Sequence, residues 1–194
     1  MNRSRVLTIL VGLMVICTGC TMPIAVSEVL QQPVGTRLYT RSNLWFSDPA
    51  AVSALNIQQG RILPAGSAVE AVSADENQLV LRDANGQEYT ILFDAGMHLC
   101  TMREYIRQML TVTPPEQEFA FIRPEMRPHV RRGEVLQGMN RREVAVTYGA
   151  PVRSRTPSWG NESWIYWIAP DRTIRVVFRD DMVINIINHT TNQE

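Results

Sequence analysis

The stretch from Gly138 to Ile187 constrains the fold of this chain more than any other. Asn140 is a strong helix N-cap residue, and Glu143 follows three positions later. The two side chains can therefore accept hydrogen bonds from backbone N–H groups that a helix start leaves free. Met139 and Val144 are placed to close a hydrophobic staple across the same turn. A helix is predicted to begin at this point.

The predicted helix is short and needs a surface on which to pack. Gly149 is placed to take the left-handed conformation that ends a helix, and Pro151 prevents its continuation. A helix of about two turns is not stable alone in water. Three alternating apolar runs follow it, each with one apolar face: Trp164, Tyr166 and Ile168; Ile174, Val176 and Phe178; Met182, Ile184 and Ile186. With turns at Pro170-Asp171-Arg172 and Asp180-Asp181, the pattern predicts a helix packed on a three-stranded antiparallel meander.

These residues resemble the BamE (SmpA/OmlA) family of small outer-membrane lipoproteins. That family shows a Gly-Met-(Thr/Ser)-x-x-(Glu/Gln)-Val opening, a Gly-x-Pro at the helix end, a Trp-x-Tyr strand and a Val-x-Phe strand. The matching segments are Gly138-Met139-Asn140 with Glu143-Val144, Gly149-Ala150-Pro151, Trp164-Ile165-Tyr166 and Val176-Val177-Phe178. Asn140 replaces the usual Thr or Ser, and Tyr148 stands where Leu is common. The resemblance implies a BamE-like α+β domain over residues 130–189 and a setting in the bacterial cell envelope.

The N-terminus has the pattern of an export signal. Arg3 and Arg5 precede an uncharged run from Val6 to Ile16, which is too short to span a bilayer as a helix and is typical of a signal peptide, here residues 1–19. Cys17-Thr18-Gly19-Cys20 resembles a bacterial lipobox, which implies fatty acylation of Cys20, for example with palmitate. Thr21 after that cysteine resembles lipoproteins sorted to the outer membrane. The alternative is an ordinary secretory signal cut nearby, with Cys20 a plain thiol.

Residues 33–94 have the pattern of a small β domain. Residues 20–32 lack clear periodicity and are predicted to form a tether. Five short strands are then predicted: residues 37–40, 61–63, 68–72, 78–81 and 89–93. Asn85-Gly86 is a strong hairpin signal, and Gly60-x-x-x-Pro64-x-Gly66 marks another turn. The segment loosely resembles a bacterial SH3-like barrel, so the expected fold class is α+β, an SH3-like β-barrel followed by the BamE-like domain.

Two adjacent aromatic residues lie in the long loop expected between the first two strands. Trp45 and Phe46 could form a stacking platform for a peptide or glycan. The alternative is that at least one of these rings fills the end of the barrel. The sequence leaves both interpretations open.

Residues 95–129 are predicted to hold an amphipathic helix and a proline-rich linker. Thr101 and Glu104 form a capping box, and the helix carries an apolar stripe before Pro114-Pro115. The linker is expected to run extended over one domain, with Phe119, Phe121 and Ile122 as anchors. Cys100 is expected to be a small buried residue, or otherwise an intermolecular partner. Residues 190–194 are a polar tail.

Charge and motifs exclude several functions. The full chain carries 19 arginines, no lysine and 19 acids, which disfavours a nucleic-acid partner. Residues 20–122 have six Arg and eleven acids, net −5, and residues 123–194 have eleven Arg and eight acids, net +3. The three histidines show no metal-ligand spacing, and no nucleophile, phosphate-loop or dinucleotide motif is present. Neither an enzyme nor a cofactor or metal site is expected.

The expected function is a non-enzymatic structural or assembly accessory that contacts other envelope proteins. Trp164 is expected in the core, and Trp167, of opposite strand parity, is expected at the surface. The candidate partner-binding residues are Trp45, Phe46, Arg141, Arg142, Arg153, Arg155 and Trp167. Trp159 completes the surface around Arg153 and Arg155. The alternatives are a module that binds peptidoglycan or its stem peptides through Trp45 and Phe46, and a component of a secretion or surface-appendage apparatus.

Overall fold

The computed structural model describes residues 21–190 and shows a mixed α+β fold. The leader with its proposed lipid site at Cys20, and the tail after residue 190, lie outside the described residues. The helices are Val26–Leu30 (α1), Ala95–His98 (α2), Met102–Met109 (α3), Pro115–Glu118 (α4), Arg127–Arg132 (α5) and Arg141–Tyr148 (α6). The first strands are Leu38–Thr40 (β1), Leu44–Phe46 (β2), Val52–Ser53 (β3), Arg61–Leu63 (β4), Ala68–Ala74 (β5), Gln78–Asp83 (β6), Glu88–Leu92 (β7) and Leu110–Thr111 (β8). The last three are Ser163–Ala169 (β9), Arg172–Arg179 (β10) and Met182–Thr190 (β11).

The N-terminal region is built on a six-stranded sheet with the order β3-β7-β6-β5-β1-β8. The five predicted strands are present as β1, β4, β5, β6 and β7. The loop predicted after the first of them also contains β2, which pairs with β4, and β3, which runs parallel to β7. The predicted hairpin joins β6 and β7, and Gly86 in its turn has φ +83°, a conformation that glycine adopts without strain.

The first hydrophobic core lies between this sheet and α3. Leu79, Leu81, Ile91 and Ile106 have no exposed surface. The capping box predicted at the start of α3 is present: Thr101 Oγ1 accepts from the backbone N–H of Glu104, whose carboxylate accepts from the backbone N–H of Thr101. The helix therefore begins where its sequence predicts and buries its apolar stripe on the sheet.

The segment expected to be a tether is partly folded. Val26 and Val29 on α1 are buried in the first core, and the backbone N–H of Ile24 donates to the carbonyl of Ala74 at 2.8 Å. Arg107 on α3 donates from Nε to the carbonyl of Val29 at 3.2 Å. These tertiary contacts hold a helix of only five residues, which explains why the sequence around it shows no helical periodicity.

The linker is also folded rather than extended. It forms α4 and α5, and Ile122 is 5% exposed in a second hydrophobic core. Arg123 binds the fully buried carboxylate of Glu143 through two side-chain bonds, at 3.0 Å from Nε and 2.6 Å from Nη2. Three of the four prolines that suggested an extended chain, Pro114, Pro115 and Pro128, instead stand at helix starts, where their missing N–H is not needed.

The second core lies between α6 and a three-stranded antiparallel sheet with the order β11-β10-β9. Asn140 and Glu143 form the predicted capping box, and Met139 and Val144 have no exposed surface. At the helix end Gly149 has a positive φ of +86°, which favours glycine, but its ψ of 173° differs from that of the predicted left-handed conformation. The helix-on-meander arrangement is confirmed.

The prediction that Met182, Ile184 and Ile186 share one apolar face of the third strand is wrong in part. A register shift opposite Val177 and Phe178 places Val183 against Phe178 and leaves Ile184 39% exposed. The inserted residue reverses the alternation that the sequence pattern assumes. Ile186, which follows the shift, packs against the second core as predicted.

Candidate functional site

The N-terminal and C-terminal regions meet through a buried asparagine. Asn43, 1% exposed, donates from Nδ2 to the carbonyls of Val130 at 2.6 Å and Thr147 at 3.2 Å. Its Oδ1 accepts from the backbone N–H of Ala65 at 2.9 Å, and its own N–H donates to Val146 at 2.9 Å. The side chain of Asn43 thus binds one carbonyl at the end of α5 and one at the end of α6, and its backbone N–H binds a second carbonyl of α6. Carbonyls at a helix C-terminus lack partners within the helix.

Asn56 makes a second polar connection. Its Nδ2 donates to the carbonyls of Asn43 at 2.9 Å and Tyr148 at 2.8 Å, while its Oδ1 accepts from the N–H of Trp45 at 2.8 Å. Asn56 adopts φ +53°, a left-handed conformation that asparagine tolerates better than most residues. The two asparagines fix the long loop of the first region to the last turn of α6.

The proposed stacking platform is used inside the molecule. Phe46 is 7% exposed and packs edge-to-face on Tyr89, with ring centroids 5.1 Å apart. Trp45 is half-buried and lies against Gly133, where a Cβ would collide with its ring. Of the two interpretations left open by the sequence, the structure supports ring filling rather than an exposed pair.

A small cleft opens beside this junction. It has a cavity volume of about 70 Å³, well below the roughly 300 to 1,000 Å³ of small-molecule pockets. Its walls come from the long loop, from α3 and from the segment after α6; they include Ser42, Asn56, Tyr105, Pro151, Arg153 and Trp159. A space of this size accommodates one side chain of a partner rather than a metabolite.

Two exposed apolar residues lie in the lining of the cleft or next to it in sequence. Trp159 is 53% exposed, and Leu99, next to the cleft residue His98, is 58% exposed. Arg153 joins them, because it lines the cleft and its Nη1 lies 3.4 Å from the carbonyl of Leu99. Aromatic and arginine side chains are enriched in protein–protein interfaces. The combination defines a candidate protein-binding surface, here called the junction surface.

Arg141 and Arg142 bind within the chain rather than facing solvent freely. Arg141 donates to the carbonyl of Asn161 at 2.7 Å, and its guanidinium lies 4.3 Å from the ring centroid of Phe178. The guanidinium of Arg142 lies 3.7 Å from the ring centroid of Phe121. Both arginines connect α6 to neighbouring segments, which gives them a structural role independent of any partner.

The sequence predicted that Trp167 would be exposed, but the structure shows that it is buried. Trp167 lies on the face of β9 that points away from the second core, yet it is only 8% exposed. The guanidinium of Arg155 lies 5.2 Å from its ring centroid, and the N–H of Gln58 donates to its carbonyl at 3.0 Å. The alternation of residues along β9 correctly predicted that Trp167 faces away from the second core. The loop after α6 and the first region cover this face of the sheet.

Three residues that shape this site could not be identified from the sequence. Asn43, Asn56 and Leu99 carried no motif. Asn56 and Leu99 have positive φ values of 53° and 50°, and an asparagine within a loop is the only local signal for such a conformation. Leu99 offered none. The contacts of Asn43 span up to 104 residues of sequence and could not be found from neighbouring residues.

His98 lines the cleft and provides a pH-dependent term in stability. It stacks on Phe93 at 4.9 Å, and its Nε2 is buried without a hydrogen-bond partner among the described residues. Burial lowers the pKa of His98 to about 4, although the Asp94 carboxylate acts in the opposite direction. The unfolded chain, with the ordinary pKa of 6.5, binds more protons between these values. Stability conferred by the neutral ring is therefore present above pH 6.5 and declines as the pH falls towards 4.

A His98→Phe variant tests this dependence. We expect the native chain to lose about 2 kcal/mol more than the variant in free energy of unfolding between pH 7 and pH 5, because only the native chain has the shifted imidazole. Urea unfolding at both pH values measures the difference. The same pH dependence in the two proteins would contradict the assignment.

Metal ligands and a cysteine thiol are the reactive groups to consider near this site. No group of three or more potential metal-ligating side chains occurs within residues 21–190. Burial raises the pKa of the Cys100 thiol, so this half-buried cysteine is a weak nucleophile at neutral pH. Within the same range, no helix is long and apolar enough to cross a membrane.

No family model, curated protein or solved structure matches this chain.

Proposed function

We propose that this protein is a non-enzymatic outer-membrane lipoprotein, anchored by acylated Cys20, that holds or assembles other proteins of the cell envelope from the periplasmic side. The signal-like N-terminus and the lipobox-like Cys17-Thr18-Gly19-Cys20 support the location. The resemblance of the second region to the BamE family supports the same setting. In this proposal the first region is an SH3-like barrel and the second a BamE-like domain.

The junction surface is the observation that carries the proposed role. Leu99 and Trp159 are large apolar side chains left exposed beside a cleft of one-side-chain size. The segment of residues 150–160 contains two arginines and no acid. The partner that fits is a protein segment with an apolar side chain for the cleft and acidic groups for Arg153 and Arg155.

Site-directed photo-crosslinking in intact cells tests this role. A crosslinking residue at position 99 or 159 should capture one defined envelope protein, because both positions border the cleft. The same residue at position 85, at the tip of the β6–β7 hairpin, should not. No adduct from the cleft positions, or an identical adduct from position 85, would argue against the proposal.

Substitutions should then weaken the captured complex. Arg153→Glu combined with Trp159→Ala is expected to reduce capture at position 99 by about tenfold or more, since Trp and Arg dominate interface energies. Arg179→Glu is the matched control, an exposed arginine on β10. Equal losses in the two variants would point to a general effect of charge instead of the junction surface.

Peptidoglycan binding through Trp45 and Phe46 receives less support. Both rings are engaged in contacts within the chain, so binding in that manner needs the junction to open. Sedimentation with purified cell wall separates the two functions. Pelleting that is lost in a folded Trp45→Ala, Phe46→Ala variant would favour the peptidoglycan module.

A further inference from the structure

The two edges of the three-stranded sheet are protected unequally. On β9, the N–H of Ile165 donates to Thr156 Oγ1 at 3.1 Å, and the carbonyl of Trp167 accepts from Gln58. On β11, Val183 accepts from the N–H of Gly138 and donates to the carbonyl of Met139, both at 2.8 Å. Beyond Val183, residues 21–190 supply no backbone partner to the outer edge of β11.

Ile186 and Asn188 present their backbone groups to this open edge. Alternate residues in an antiparallel ladder point their N–H and C=O groups towards opposite sides of the strand. The N–H of Ile186 donates to Oδ1 of its neighbour Asn185 at 2.9 Å, so it does not point towards β10. Asn188, two residues later, faces the same way as Ile186. The edge therefore offers two residues with a spacing suited to another strand.

The composition of β11 lacks the features that usually prevent edge pairing. Residues 182–190 contain no charged residue and no proline, and three of them are isoleucine. Natural edge strands are commonly protected by charges, prolines, bulges or covering segments. The one bulge of β11 lies at Ile184, next to the end that is already paired. Among the described residues, nothing protects the remaining part of the edge.

We propose that β11 pairs antiparallel with β11 of a second copy of this chain, about a two-fold axis through Ile187. This register sets Ile186 of each copy opposite Asn188 of the other, with exchange of both backbone hydrogen bonds in each pair. The Ile186 N–H then exchanges its bond to Asn185 for one to the second copy. The two Ile187 side chains meet on the outer face of the sheet.

A second copy fits this edge because the strand is compatible with itself. An uncharged strand meets no like charge when it pairs with its own copy, and a two-fold axis makes the surface self-complementary. The residue opposite Ile187 on β10 is the exposed Arg175. Three strand spacings, about 14 Å, would separate the two Arg175 Cα atoms. This distance exceeds the screening length of about 8 Å at physiological salt.

Cysteine crosslinking tests the register. In a Cys100→Ser background of the full chain, Ile187→Cys should give a disulfide-linked dimer, since facing residues in a non-hydrogen-bonded pair have Cα atoms about 4.5 Å apart. Ile186→Cys, on the opposite face and facing Asn188, should give at least about fivefold less. The background chain alone controls for the other cysteines. No dimer above background from Ile187→Cys, or equal yields at both positions, would overturn the proposal.

Sedimentation of the uncrosslinked full chain in detergent gives an independent test. The native chain should populate a dimer, and Ile187→Lys should shift it to monomer because two ammonium groups would face each other across the axis. Ile165→Lys is the matched control, a half-buried isoleucine on the same face of β9. A native chain that remains monomeric, a dimer that survives Ile187→Lys, or a β11 edge that crosslinks to a different protein would each refute self-pairing.

Discussion

Replacing Glu143 with alanine is expected to lower the free energy of unfolding by about 3 to 5 kcal/mol, the usual cost of breaking a buried ion pair. The Glu143 carboxylate has no exposed surface and accepts from the side chain and backbone of Arg123 and from the N–H of Asn140. Burial opposes its ionisation, but the hydrogen bonds from Arg123 and Asn140 outweigh that effect and lower its pKa. Urea unfolding at pH 7 measures the loss.

Glu104→Ala provides a matched control for the capping contribution. Glu104 holds the same capping-box position in α3, with backbone and hydroxyl contacts to Thr101 and no ion pair within 4.0 Å among the described residues. Its replacement is expected to cost clearly less than that of Glu143, because this exposed carboxylate contributes only to the helix cap. The difference between the two variants isolates the Arg123 interaction. Equal losses would show that Glu143 acts only as a cap.

Trp164→Ala is expected to lower the free energy of unfolding by about 3 to 5 kcal/mol, as large-to-small substitutions of buried aromatic residues do. Trp164 has no exposed surface, and its ring packs edge-to-face on Phe178 and on Trp159, with centroids 4.9 Å apart in both pairs. The void would lie beneath α6. Thermal or urea unfolding, followed by near-ultraviolet circular dichroism, measures the loss.

Trp159→Ala is the control for Trp164. It removes an aromatic ring from the same edge-to-face pair, but one that is 53% exposed. Its expected cost is about 1 kcal/mol, the value of an aromatic contact without a buried void. A loss at Trp159 as large as that at Trp164 would show that the exposed ring, and with it the junction surface, is needed for folding.

Local signals predicted the elements that short-range chemistry defines. The caps at Thr101 and Asn140, the turn at Gly86 and the alternation of β10 all correspond to observed structure. Each signal depends on residues within a few positions of one another. The mixed α+β fold could therefore be predicted from the sequence.

The features that the sequence did not predict depend on distant contacts or on inserted residues. One extra residue at Ile184 changed which side of β11 enters the core. The helix α1 exists because Val26 and Val29 find a surface made by other segments. At the candidate site, the tryptophan and arginines of the loop after α6 are exposed, as a surface site requires. Phe46 is instead buried in the core of the first region, and Trp167 is buried where the first region and the loop after α6 cover β9.

If Cys20 carries the proposed lipid, the docking of α1 limits the distance between the folded protein and the membrane. Only three residues, Thr21 to Pro23, separate Cys20 from Ile24, whose N–H is bound to the β5 carbonyl of Ala74. The four Cα-to-Cα steps from Cys20 to Ile24 span at most about 14 Å. The folded body would then rest close to the lipid headgroups with little freedom to swing outward. An envelope protein that binds this protein would then have to do so close to the bilayer surface.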